Sequence, residues 1–197
     1  MPSRILLLSM ICLCMGSAAA QQTVRYKSAI VALTDDPALR ARFETSLAAK
    51  AREHDYDAVT SYDLVPDVDD VNGRGFLRTL EANSVRAVLM LRPAAIGAGS
   101  SLESVRNEVS EDLYANMRKF AGEVSSSGGD DLIAVVHMAI YTIADGTPDL
   151  ISAGAVWLDE PVENQAEGIG RLQDLMLRNV DAVRPAIRQH LGLPPLQ

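Results

Sequence analysis

The chain has 197 residues, 26 acidic against 18 basic, and a net charge of −8. A surface this acidic repels phosphate backbones and anionic headgroups, which argues against nucleic acid or a lipid surface as principal partner. Both cysteines, Cys12 and Cys14, lie within the first twenty residues, so the rest of the chain offers no disulfide, thiolate metal site or cysteine nucleophile.

The opening segment, MPSRILLLSMICLCMGSAAAQQ, has one basic residue, Arg4, then an uncharged apolar run from Ile5 to Met15 and small residues up to Ala20. This is the layout of a secretory signal peptide over residues 1–20, with Ala18 and Ala20 predicting cleavage before Gln21. The apolar run is about half of the roughly 20 residues that a bilayer-spanning helix needs, so no stable membrane insertion is expected after cleavage. Ile11 and Leu13 precede the two cysteines where a lipidation site wants a small residue, so neither Cys12 nor Cys14 is expected to carry lipid. The expected location is periplasmic or secreted. Residues 21–197, with a charge of −9 because the leader takes one arginine with it, are expected to form one domain. A chain of that length buries roughly 70% of its unfolded surface.

The first unit is Lys27 to Asp63. Ser28 to Leu33 is a short apolar run suited to a buried strand. Asp36 is placed to cap a helix, with Pro37 at its first position, where a missing N–H costs nothing. Leu39, Phe43 and Leu47 give that helix an apolar face, and Ala58 to Tyr62 reads as the next strand. Val65 to Gly75 is a polar loop rich in Asp and Gly, and Phe76, Leu77 and Leu80 mark a short helix. Ala87 to Leu91 is a third strand, and Pro93 to Ser101 breaks the pattern. Ser100 and Glu103 have capping-box spacing ahead of a long amphipathic helix whose stripe runs from Leu102 to Val124. After Ser125 to Asp131, a flexible stop, Leu132 to Ile143 and Leu150 to Leu158 predict an antiparallel hairpin. Asp159-Glu160-Pro161 opens a last helix with the stripe Val162, Ala166, Ile169, Leu172, Met176, Val180, Val183 and Ile187. Pro185 predicts a kink or break in it near Ala182, and the tail LGLPPLQ reads as loose. Together these elements predict an α/β fold, with a mixed sheet of about five strands and about four helices. Three strands are parallel in a βαβαβ succession and two form the hairpin.

The first unit resembles the start of small bacterial envelope proteins of unassigned function, many of them lipoproteins. The residues that carry this are Asp36-Pro37, Arg40, Phe43-Glu44, Ser61-Tyr62 and Pro66-Asp67, with RAVLMLR at Arg86 to Arg92 and the Trp157 hairpin in support. More loosely, the fold is similar to the amino-terminal domain of TolB and to the periplasmic domain of the curli secretion lipoprotein, which are assembly or interaction modules. The chain departs from that pattern in its poorly placed cysteines and in the long helix after strand three. The resemblance implies a non-catalytic interaction or assembly module of the cell envelope, working with an envelope protein or by self-association.

Motifs for chemistry are sparse. His54 and His190 stand near helix ends, where a cation is favoured by the dipole, and His137 lies mid-strand beside Val135, Ala139 and Tyr141, which predicts a partly buried structural histidine. There is no HExxH, no His pair at helical spacing and no GxSxG elbow, so no catalytic residue, metal ligand or cofactor is expected. Asp67, Asp69, Asp70, Asn72 and Gly73 miss the register of a calcium loop, because positions five and twelve fall on Val71 and Arg78. A ligand of an α/β sheet sits beyond the carboxyl ends of its parallel strands. That consideration gives the alternative reading, a small-ligand-binding protein whose candidate residues are Asp35, Tyr62 and Arg92. A phosphate ligand is disfavoured there, because Asp36 occupies the helix cap and Pro37 deletes a donor. Gly97 to Ser101 precedes a helix but matches no phosphate-loop pattern.

Overall fold

The computed structural model describes residues 25–34, 36–67, 71, 74–95, 133–158 and 164–196, with side chains for all of these but 93–95, 133–135 and 165. The long amphipathic helix, the calcium-like Asp69 to Gly73 apart from Val71, the Gly97 to Ser101 turn and Asp35 lie outside the described residues.

Five strands form one sheet in the order β2-β1-β3-β4-β5. They are β1 (Lys27–Ala32), β2 (Asp57–Thr60), β3 (Val85–Ala95), β4 (Ile133–Ala144) and β5 (Thr147–Trp157). β1 pairs in parallel with both β2 and β3, whereas β3–β4 and β4–β5 are antiparallel. The described helices are α1 (Pro37–Glu53), α2 (Ser61–Leu64), α3 (Arg74–Ala82) and α4 (Gln165–His190). The predicted mixed α/β fold is therefore the observed one.

β1 is buried on both faces because helices cover both, which is why it is apolar at every position from Ala29 to Ala32. On one face Ile30, Leu89, Leu91, Met138 and Ile140 meet Phe43 and Leu47 of α1 and Leu172 and Met176 of α4. On the other, Val31, Met90 and Tyr141 meet Phe76 and Leu80 of α3. α1 starts as predicted: Asp36 Oδ1 accepts hydrogen bonds from the Ala38 and Leu39 amides at 2.8 and 3.1 Å. The hairpin turns through Asp145 and Gly146, whose φ values of 50° and 76° are those of the type I′ turn that suits strand twist.

Several boundaries differ from expectation. The second strand ends at Thr60, and Ser61 and Tyr62 open α2, a single helical turn capped by Thr60 Oγ1 accepting from the Asp63 amide at 3.1 Å. β3 runs through Pro93 to Ala95 instead of stopping at Leu91. The Leu91 carbonyl accepts from the Leu33 amide and so faces β1. Pro93, two residues on, turns its missing N–H to that same side, just past the last β1–β3 pair at Ala32 and Leu91, so its lack of a donor falls where that pairing ends. α4 begins at Gln165 with Asn164 Oδ1 accepting from the Glu167 amide, and Ala166 is exposed. α4 is not divided at Pro185, which is exposed, as is Asp181, so the carbonyl that loses its partner faces water.

The tail is not loose. Leu193 N–H donates to Arg188 O at 2.8 Å and Gly192 N–H to Gln189 O at 3.1 Å, with Gly192 at φ 66°. This pairing is the Schellman termination of a helix. Leu193 packs on the core, and Arg188 Nε donates to Pro194 O.

Candidate functional site

The order β2-β1-β3 makes the chain leave β1 to one side and return on the other, so the topological switch point lies between β1 and β3, at their carboxyl ends. Beside it stands a buried ion pair on α1. Arg40 and Glu44 are one turn apart and 1% and 0% exposed. Glu44 Oε1 accepts from Ala32 N–H at 2.8 Å, Ser61 Oγ at 2.7 Å and Arg40 Nε at 3.2 Å, and Oε2 accepts from Tyr62 N–H at 2.8 Å. Arg40 donates further to Ser61 Oγ at 2.9 Å, Val65 O at 2.7 Å and Pro66 O at 3.0 Å. One ion pair thus ties the end of β1, α1, the start of α2 and the loop after it. A buried charge survives only with such full hydrogen bonding.

Over this pair lies an open depression of about 360 Å³ lined by Thr34, Pro37, Arg40, Pro66 and Asp67. Thr34 is 7% exposed and its Oγ1 accepts from Asp36 N–H at 3.4 Å. The helix starts near the depression already hold carboxylates of the chain itself, Asp36 on α1 and Glu44 on the Tyr62 amide of α2. Both leave little for an anionic ligand to bind.

Of the predicted site residues, Tyr62 and Arg92 do not line this depression. Asp35 lies outside the described residues. Tyr62 is half-buried, with the Arg40 guanidinium 5.8 Å from its ring centre, and it does not line the depression. Arg92 is a half-buried strand residue opposite His137 in the β3–β4 ladder. β1 stands between the strand before Tyr62 and the strand that carries Arg92, which separates them by two strand spacings, roughly 10 Å.

The histidines occupy the expected kinds of place. His54 caps α1, with Nδ1 3.7 Å from Asp181, and His190 Nε2 is 3.0 Å from Asp149. His137 is 2% exposed, more buried than predicted, on the β4 face shared with Ala139 and Tyr141. Among the described residues there is no group of three or more His, Cys, Asp or Glu placed to hold a metal ion, and no helix long and apolar enough to cross a membrane.

The functional candidates that sequence reasoning missed are Arg40 and Glu44 themselves. Both are among the residues named for the resemblance in the sequence, but no role in a site was read from them. A signal was present: Arg40, Glu44, Ala48 and Ala51 form a second line beside the Leu39–Phe43–Leu47 stripe, and small residues on that line mark a close approach to a neighbour. Comparison of the chain with protein-family models, curated proteins and solved structures finds no match to any of them.

Proposed function

We propose that this is a non-catalytic interaction module of the bacterial cell envelope, exported through its amino-terminal segment, which takes a strand of its partner along the edge of β5. The observation that carries this reading is the edge itself. Among the described residues β5 has a neighbour on one side only, and it is 11 residues long against 4 for the opposite edge strand β2. Leu150 to Leu158 carries no charge. Exposed edges are ordinarily guarded by charge, proline or a bulge, and strands added to them gain a ladder of backbone hydrogen bonds.

The register locates the open part of the edge. Ala144 and Thr147 close the two-residue turn and face each other, so Pro148 turns its missing N–H outward. A bulge at Ile151 interrupts the ladder between Leu150 and Ser152. Beyond it, Ala153, Ala155 and Trp157 alternate with inward-facing residues and direct their backbone groups away from β4. The guards thus occupy the turn half of β5 and leave Ser152 to Ala155 for a partner.

Ala155→Pro removes one outward N–H and no internal ladder bond. Mild crosslinking of the exported protein in its compartment is expected to give a discrete heavier species with the wild type and none with Ala155→Pro at equal abundance. The same species formed equally by both refutes the reading. The alternative, a small ligand in the strand-end crevice, draws support from the 360 Å³ depression. Four of Arg40's donor contacts there are already made to the chain, which weighs against it.

A further inference from the structure

Within the open stretch of β5, Gly154 stands between Ala153 and Ala155 and opposite Met138 of β4. Among the described residues nothing calls for a glycine there. Its φ is not positive, and a Cβ built on it would meet no atom within 4 Å. The bulge of β5 falls earlier, between Leu150 and Ser152. Glycine weakens a strand interior, and where neither a bulge nor a bend needs it, it marks the close approach of another chain.

Met138 belongs to the core face under α4, so the empty position at Gly154 opens on the α4 side of the sheet. Ser152 and Val156, which pair with Ile140 and Val136, flank it on that side. Ala153 and Ala155 turn their backbone groups outward. An antiparallel strand therefore bonds to those two and sets one residue directly opposite Gly154, in the closer, non-hydrogen-bonded kind of pair. A large flat side chain at that position covers the bare backbone, as aromatic residues do beside edge glycines. Charge bears on the ends of the strand. Leu150 to Leu158 is uncharged, Asp149 precedes it, Asp159 and Glu160 follow it, and the whole chain carries −8. His190 Nε2, 3.0 Å from Asp149, offsets only one of these acids. On the reading that β5 pairs with a partner strand, we infer that this strand belongs to another protein, runs antiparallel to β5, places an aromatic residue opposite Gly154 and carries basic residues at its ends. A second copy of this chain meets neither condition. Antiparallel pairing about Gly154 sets glycine against glycine and brings the acidic flanks of the two copies to the same ends.

The test is calorimetric titration of the exported protein with a capped peptide, Lys-Thr-Val-Thr-Phe-Thr-Val-Thr-Lys, with a second that has Ala for Phe, and with a third that has Glu for both Lys. The phenylalanine peptide is expected to bind saturably and about tenfold more tightly than the alanine peptide, roughly half the worth of a fully buried phenylalanine. It is expected to bind more tightly than the Glu-ended peptide by a factor that shrinks as salt is added. Gly154→Thr fills the open position and is expected to bind the phenylalanine and alanine peptides equally, while Ala155→Pro binds none. Near-ultraviolet circular dichroism establishes that the variants are folded, and if Gly154→Thr is not, Gly154→Ala carries the same comparison. Equal binding of the phenylalanine and alanine peptides by the wild type, equal binding of the Lys-ended and Glu-ended peptides, or a phenylalanine preference that survives in Gly154→Thr overturns the inference, and edge pairing stands if Ala155→Pro still abolishes binding. Binding that Ala155→Pro leaves intact, or no binding of any peptide, removes the edge pairing and the inference with it. A dimer of the chain alone, seen by sedimentation and abolished by Ala155→Pro, makes a second copy the occupant and overturns the inference while edge pairing stands.

Discussion

Replacing Glu44 by alanine removes the acceptor that joins β1, α1 and α2. Arg40, 1% exposed, is left with an uncompensated buried charge, and breaking a buried pair from one side costs about 3–5 kcal/mol. The Ala32 and Tyr62 amides lose their acceptor as well, adding about 1 kcal/mol at least. The expected total of about 4–6 kcal/mol approaches the whole stability of a small domain, about 5–15 kcal/mol, and corresponds to a fall in Tm of roughly 10–20 °C. Glu44→Gln does not escape, because either orientation of the amide sets its NH₂ against a donor. Arg40→Met leaves a carboxylate still bonded by Ala32, Ser61 and Tyr62 and is expected to cost less. With Arg40→Met and Glu44→Ala combined, the penalty for the stranded guanidinium disappears, so the double variant is expected to be more stable than the sum of the singles by about 2 kcal/mol. Equilibrium urea unfolding followed by far-ultraviolet circular dichroism measures all four corners of this cycle. A cost below about 1 kcal/mol for Glu44→Ala, or strict additivity, refutes the assignment of the ion pair as the tie of this region.

Alkaline stability follows from the two tyrosines. Burial, then the hydrogen bond to Asp181, raises the Tyr56 phenol above its ordinary value, and burial raises Tyr26. The folded chain therefore holds protons that the unfolded chain releases above about pH 10, so the contribution is complete below that pH and is lost as pH rises from there through the raised folded-state value. Tyr56→Phe is expected to flatten the dependence of unfolding free energy on pH by about 1.4 kcal/mol per unit above about pH 10, measured by urea unfolding; an unchanged slope contradicts it. Gly192→Ala forces a side chain into a left-handed position at φ 66° and is expected to cost about 1 kcal/mol and loosen the tail, seen as faster amide exchange at Leu193. Phe76→Ala empties a site 1% exposed between α3 and the sheet and is expected to cost about 3–5 kcal/mol in the same unfolding assay.

The legible parts of the fold are those set by near neighbours in the chain. Asp36-Pro37 announces the start of α1 because the cap bonds reach only two and three residues ahead. Asp145-Gly146 between two apolar runs announces the hairpin because the turn type demands positive φ at two successive residues. The termination at Gly192 was equally local and was missed, although a glycine after a helical stripe followed by prolines is its signature. Pro93 and Pro185 were read from the bond that each lacks. Whether that bond was needed depended on where β1 ends and on which side of α4 faces water.

The amino-acid sequence by itself determined the layers of this protein: strand, helix, strand, helix, strand and a hairpin, from short apolar runs at the strands and helical apolar spacing at the helices. That follows because local periodicity dictates which face of an element leaves water. Tertiary structure alone decided the character of the candidate sites. Arg40 and Glu44 are buried because Ala32, Ser61, Tyr62, Val65 and Pro66, distant in sequence, converge on them with matching donors and acceptors. The Tyr26 hydroxyl and the Arg184 Nε–H are buried without an acceptor among the described residues. Desolvation is a property of the assembled neighbourhood, and no spacing within one segment encodes it.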